Sequence, residues 1–195
     1  MLSDGSLWCW GSSEYGALGL GPVNSSLVPA RVPGLGDVVR VAAGDQKTCA
    51  WKKDGSVWCF GELLRDEGAQ ALAKVPVELK ELGTRVEELA FGARHTCART
   101  ASQGGTHGGE VLCWGENSSG QLGNEKPGYA SPAVPVASLK GKAVALGAGD
   151  YFTCALTTDG TVWCWGSGSG GRLGTGRKDQ DMSSRPVRAK LPCSR

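Results

Sequence analysis

Eight cysteines, two histidines, seven tryptophans and several adjacent acidic residues are the groups in this 195-residue sequence able to carry chemistry. The cysteines are the most ordered of them. Cys49 and Cys59, Cys97 and Cys113, and Cys154 and Cys164 stand as three pairs, while Cys9 and Cys193 are left over. Their spacing does not follow the Cys-x-x-Cys couples of a zinc site, and no companion histidine recurs at a fixed offset, so metal binding is the weakest reading. Nucleophilic catalysis lacks a constellation as well. His95 and His107 could each serve as a general base, yet neither has a recurring Ser, Cys or carboxylate partner. His95 reads as a structural or surface variant and His107 as a solvent-facing residue of an insertion. The acidic couples Glu87 with Glu88 and Glu78 with Glu81 fit a solvated charged face better than a glycosidase pair. The run Gly166-Ser167-Gly168-Ser169-Gly170-Gly171 lacks the Lys-Ser/Thr ending and following helix of a phosphate cradle, and turn geometry explains it better. No cofactor is expected and the chain reads as non-enzymatic.

The elements that position these residues come from a repeat. Asp4-Gly5-Ser6-Leu7-Trp8-Cys9-Trp10-Gly11 returns at Asp54–Gly61, Gly109–Gly115 and Asp159–Gly166, with central cysteines 50, 54 and 51 residues apart. A second word precedes three of these: Thr48-Cys49-Ala50, Thr96-Cys97-Ala98 and Thr153-Cys154-Ala155. A third follows: Gly16-Ala17-Leu18-Gly19, Gly120-Gln121-Leu122-Gly123 and Gly171-Arg172-Leu173-Gly174. Each unit then runs into a Pro-punctuated apolar stretch around Val28-Pro29, Val75-Pro76, Val134-Pro135 or Pro186-Val187, suited to edge strands. A hairpin, a Gly-rich loop and a less regular strand leave no room for a crossover helix. The expectation is an all-β array of four-stranded units, as in propeller blades. With 31 glycines and 7 tryptophans, the composition suits many tight turns between short strands.

These words resemble the repeat of the regulator of chromosome condensation family, and the cysteine-rich version is similar to repeats of bacterial surface or secreted members. The resemblance covers essentially the whole chain. It implies a seven-bladed β-propeller, of which residues 1–195 would supply about four repeats, with words centred near 9, 49–59, 97–113 and 154–164. Because Cys9 has no Thr-Cys-Ala word before it, the array is expected to be cut at both ends, as a piece of a larger propeller or a truncated gene product. The remaining blades would come from a longer chain or a second copy. Light sensing, which in one member of this fold uses a Gly-Trp-Arg-His-Thr word, is not supported, since Gly92-Ala93-Arg94-His95-Thr96 has Ala in place of Trp. Two departures stand out. Glu62–Gly68 lacks the third word and could form a short helix, and the hairpin between Cys97 and Cys113 is enlarged by a Gly-rich tip at 101–108.

Counting outward from the turn Lys53-Asp54-Gly55 sets Cys49 opposite Cys59 in a non-hydrogen-bonded position, about 4.5 Å apart at Cα, within the reach of a disulfide. The same count sets Cys154 opposite Cys164, and Cys97 and Cys113 lie symmetric about their longer loop. Three intra-blade disulfides are expected, with buried reduced thiols as the alternative. Oxidised pairs would place the protein outside the cell or in the envelope. The opening residues MLSDGSLWCWG carry no basic and apolar leader, so no address is read there. The aromatics Trp8, Trp58 and Trp163, and two residues on Trp10, Phe60, Trp114 and Trp165, are expected between blades rather than on a ligand platform, with Trp58 and Trp163 as core residues.

Lys and Arg total 21 against 19 for Asp and Glu, a net charge of +2 scattered along the sequence, which offers no footprint for nucleic acid. No apolar run is long enough to span a membrane as a helix. The expected function is a non-catalytic, extracellular or envelope protein-binding module, for example an enzyme inhibitor like a β-lactamase inhibitor of this repeat fold. Gln103, Thr106 and His107 of the variable tip are the candidate binding residues. The alternatives are an intracellular exchange factor for a small GTPase or a chromatin-associated factor, and the propeller part of a larger secreted enzyme.

Overall fold

A computed structural model describes residues 1–63, 72–82, 85–101, 108–126, 128–177 and 182–191. Fourteen strands occur among them: β1 (Trp8–Ser12), β2 (Ser25–Arg31), β3 (Val38–Ala43), β4 (Lys47–Lys52), β5 (Val57–Glu62), β6 (Leu72–Glu78), β7 (Val86–Phe91), β8 (His95–Thr100), β9 (Val111–Gly115), β10 (Ala130–Pro135), β11 (Ala143–Gly149), β12 (Phe152–Thr157), β13 (Val162–Ser167) and β14 (Met182–Arg188). Strands β3 to β6, β7 to β10 and β11 to β14 form three antiparallel four-stranded sheets in simple sequence order, and β1 pairs with β2 alone. The all-β expectation holds, with four-stranded units in three of the four sheets. The Leu64–Gly68 part of the short helix considered for the second repeat lies outside the described residues, and Glu62 closes β5.

The chain divides into two compact units, Met1–Val86 and Glu87–Arg195. In the first, Leu7, Val32, Leu35, Val38, Ala50 and Phe60 form a buried cluster. In the second, Cys97, Val111, Cys113, Leu122, Ala143, Ala155 and Trp165 do so.

Each Asp-Gly turn is built by its own side chains. Asp54 Oδ1 accepts from the Ser56 amide at 2.9 Å and from its hydroxyl at 2.6 Å, and the Ser56 hydroxyl in turn accepts from the Trp58 indole at 3.0 Å. Asp4, Ser6 and Trp8 repeat this relay. These bonds favour the charged carboxylate, so the Ser6 and Ser56 contacts hold Asp4 and Asp54 below the usual carboxylate range. In the last repeat Thr161 replaces the serine. Asp159 is then bonded by Thr157 and the Thr161 amide, and the Trp163 indole N–H has no acceptor among the described residues.

The glycine ending each Trp-Cys-Trp-Gly word has a strict role. Gly61, Gly115 and Gly166 take φ of 102°, 102° and 103°, where a side chain is strained. A Cβ on them would also lie 2.2, 2.5 and 2.4 Å from the carbonyl oxygens of Gln46, Arg94 and Tyr151. That close approach lets those carbonyls accept from Glu62, Glu116 and Ser167 amides at 2.8 Å each, and the register shift beside Gly61 and Gly166 follows from it.

Among the described residues, consecutive repeats meet through one recurring junction, seen in both units. In the first unit the Thr48 hydroxyl donates to the Ala17 carbonyl at 2.9 Å, and the Phe60 ring lies so close to Gly19 that a Cβ there would sit 2.9 Å from it. A Cβ on Gly16 would sit 3.0 Å from Lys74 Cα, and the Gly21 amide donates to the Lys74 carbonyl at 2.8 Å. In the second unit Thr153 donates to the Gln121 carbonyl at 3.0 Å, as does the Trp165 indole at 2.9 Å. Gly123 lies beneath Trp165, Gly120 beneath Ser184, and the Glu125 amide donates to the Ser184 carbonyl at 3.0 Å. The Gly-x-Leu-Gly word is thus a socket: its glycines give room to the next repeat, its leucine (Leu18, Leu122) is buried, and Ser13 or Asn117 holds the leucine amide from behind.

Candidate binding surface and cysteine pairs

The register puts the paired cysteines where counting from the turns places them. Cys49 faces Cys59, Cys97 faces Cys113 and Cys154 faces Cys164 across adjacent strands. Their Cα atoms are 4.1, 4.1 and 4.0 Å apart, somewhat closer than the ideal antiparallel spacing, and the sulfurs lie at disulfide distance. Cys9 is half-buried and unbonded, and its burial pushes the thiol pKa up. Cys193 lies outside the described residues.

The aromatic words divide into two roles. Phe60 and Trp165, second in the word, are fully buried, whereas Trp58 and Trp163 pack only partly against the cores. Of the aromatics expected to pack between blades, Phe60 and Trp165 do so most deeply, while Trp114 is half-buried and Trp10 is exposed. Both aromatics of a word lie on one face of the strand, and the second, Phe60 or Trp165, is the one seated on the neighbouring socket against Gly19 or Gly123.

The acidic and histidine candidates resolve into structure. Arg99 Nε bonds Glu88 at 3.0 Å and its Nη1 pairs with Glu87, while Glu88 also accepts from the Leu146 amide at 3.2 Å. Glu88 is thus a half-buried brace between strands rather than one of two facing acids. His95 is buried, with Nε2 2.8 Å from the Thr153 hydroxyl that also reaches Gln121. It belongs to the repeat junction. Lys47 holds the equivalent place opposite Gly61, and burial, partly offset by Glu62 and Asp45, lowers its pKa to about 8. Among the described residues no group of three or more His, Cys, Asp or Glu could hold a metal ion, and no helix is long and apolar enough to cross a membrane.

Gln103, Thr106 and His107 lie outside the described residues. The base of their tip is described and adjoins a cavity of about 440 Å³. Gly109 pairs with Ala143, fixing the exit of the tip against the start of β11. Val111, Pro135, Val136 and Leu139 give the cavity apolar walls, and Glu110 and Lys142, 3.4 Å apart, give it a polar rim. Sequence reasoning found the tip through its extra length but missed this cavity. Its walls come from three segments whose meeting depends on strand order, so no local pattern could have shown it.

Comparison with known proteins places this geometry. The family described as regulator of chromosome condensation (RCC1) repeat matches residues 4–51, 108–156 and 159–194, and a second description of the same repeat matches 86–121 and 143–172. The chain is 31% identical over 190 residues to the human E3 ubiquitin-protein ligase HERC2, covering 92% of this chain and 4% of that protein. Among solved structures, human WBSCR16 superposes with a TM-score of 0.78 at 22% identity, over 98% of this chain and 50% of the other. Prp20p of Saccharomyces cerevisiae, solved in a study of its binding to Gsp1p and histones, gives 0.76 at 23%, over 97% and 47%. The chain therefore spans about half the length of either structural relative and a small part of HERC2, and its fold is that of β-propeller repeats.

Proposed function

Because the chain belongs to the regulator of chromosome condensation (RCC1) repeat family, we propose that it is a non-catalytic propeller module that binds a protein partner through the enlarged hairpin of its third repeat. The observation that carries this reading is the cavity beneath that hairpin. Apolar walls with a charged rim suit an apolar side chain flanked by polar groups, the usual anatomy of a protein anchor site. The strands and sockets are committed to packing, so variation is tolerated at the tip and its base. The three cysteine pairs support a place outside the cell or in its envelope, where such pairs persist.

Affinity capture from the native source, using the intact chain, a chain shortened between Ser102 and Gly108, and Lys142→Glu, tests the site. Lys142 is half-exposed, and both changes should lose the same partner. Unchanged capture by both would remove the hairpin and cavity from consideration. Prp20p, whose structural study names Gsp1p and histones, favours a second reading, an intracellular exchange or chromatin-associated factor. The scattered charges and near-neutral balance weigh against it.

A further inference from the structure

The tripeptide Asn-Ser-Ser occurs at Asn24-Ser25-Ser26 and again at Asn117-Ser118-Ser119. Each fits the Asn-x-Ser/Thr pattern, with x other than Pro, that accepts N-linked oligosaccharides. By sequence the two are indistinguishable, and the fold separates them.

Asn117 is 2% exposed and its carboxamide is committed. Its Oδ1 accepts from the Leu122 amide at 2.9 Å, and its Nδ2 donates to Asn124 Oδ1 at 2.9 Å and to the Lys126 carbonyl. These bonds hold the Gly120–Gly123 socket from behind, so a sugar on Nδ2 would displace one of them and have no path to solvent. Asn24 is placed in the opposite way. Its carbonyl accepts from the Ser13 amide at 2.7 Å, which fixes the backbone just ahead of β2, while Val23, Asn24 and Ser25 are all exposed. The same position is open in a repeat that has another on either side. Ser26 and Ala130 each stand opposite the glycine that ends their word, Gly11 or Gly115, which makes Gly128 the counterpart of Asn24. Gly128 is exposed, and a Cβ on it would meet nothing within 4 Å.

We infer that Asn24 carries an N-linked oligosaccharide and that Asn117 stays bare in the folded protein. The inference rests on the exported location proposed from the cysteine pairs, since transfer needs a compartment holding an oligosaccharyltransferase and a polyprenyl-diphosphate-linked sugar. Asn24 Nδ2 attacks the anomeric carbon of that donor and gives up one proton. The new C–N bond replaces the C–O bond to the diphosphate, which leaves with the bonding pair. In the folded chain the Ser26 hydroxyl donates to the Val28 carbonyl at 2.7 Å, so the acceptor is used on the nascent chain, before β2 forms. A chain that received its sugar at Asn117 could not close the socket and would drop out of the folded population. On the finished protein the glycan stands at the entry to β2, which is an edge of its sheet as β6, β10 and β14 are of theirs. A bulky polar group there obstructs pairing of that edge with another strand.

Peptide mapping of the protein from its native source, with glycans released by a glycoamidase in heavy-oxygen water, reads both sites at once, because release converts a glycosylated Asn to labelled Asp. Label should appear at Asn24 and be absent from Asn117. A parallel digest without reductant reads the cysteine pairs. Three bonded pairs with an unlabelled Asn24 would overturn the glycan and leave the exported location standing, whereas free thiols with an unlabelled Asn24 would remove both. Two variants produced in the same source locate the sugar independently. Ser26→Ala keeps Asn24 but destroys its acceptor pattern, and should abolish the change in electrophoretic mobility on glycan release. Ser119→Ala destroys the other pattern, leaves the bonds of the Asn117 carboxamide in place, and should keep that change in full. A change that survives Ser26→Ala, one lost with Ser119→Ala, or label at Asn117 in the folded protein would each overturn the assignment.

Discussion

Lys47 shows how a single side chain reports its surroundings. It is 2% exposed beside Glu62, and its pKa falls from the usual 10.5 to about 8. Below about pH 8 the group is charged in both folded and unfolded chains, and the folded state bears the full cost of burying that charge. Between about pH 8 and 10.5 the unfolded chain binds more protons, so stability should rise with pH, by about 3 kcal/mol across the window. Urea midpoints measured through that range should climb in the native sequence and stay level in Lys47→Met, with Cys9 alkylated so that its thiolate cannot attack the cysteine pairs. A level profile in both would show that Lys47 is not buried as a cation. Lys47, His95 and Phe152 each precede a Thr-Cys-Ala word, but nothing in the sequence marks the position as interior, because polar residues at two of three repeats point outward by type. Their surroundings are set by assembly: His95 lies against Thr153 of the neighbouring repeat, and Lys47 sits opposite Gly61 beside Glu62.

At the scale of elements, hairpins were the most legible part of the chain. The Asp-Gly turns fix register locally, so the opposition of Cys49 with Cys59 and of Cys154 with Cys164 follows from counting, and Gly55 and Gly160 take φ of 84° and 77° as a left-handed turn position requires. The sockets were legible only as a recurring word, since what they hold is supplied by a strand some thirty or more residues away. Thr153 is their clearest test. Replacing it with Val keeps the shape but removes the donor to the Gln121 carbonyl and the contact with His95, and should destabilise by about 1 to 3 kcal/mol in denaturant titration. Loss of less than a few tenths of that would mean the Trp165 indole alone satisfies the carbonyl.

At the scale of the whole molecule, the compartment turns on the state of six thiols. Non-reducing peptide mapping of protein from its native source should recover Cys49 with Cys59, Cys97 with Cys113 and Cys154 with Cys164, and Cys9 should alkylate without reduction. Full alkylation of the six would remove the case for export while leaving the propeller intact, because closing loops of ten to sixteen residues contributes about 3 kcal/mol each in the chain-entropy model and reinforces hairpins that the turns already define. The repeat period carried the fold class from sequence to structure without loss. The candidate site was less legible, since an enlarged hairpin announces itself by length and the cavity beside its base only by assembly.

The socket has one further consequence, for how such a chain is inherited. What a repeat reads from its predecessor is almost entirely main chain: the carbonyl of Ala17 or Gln121, the bare Cα of two glycines and one amide. The reader therefore takes the same main-chain bond whether the middle residue of the word is Ala17 or the buried Gln121. A duplicated or deleted repeat arrives already compatible with whichever neighbour it meets, so unequal recombination can lengthen or shorten the gene by whole units before any compensating substitution is needed.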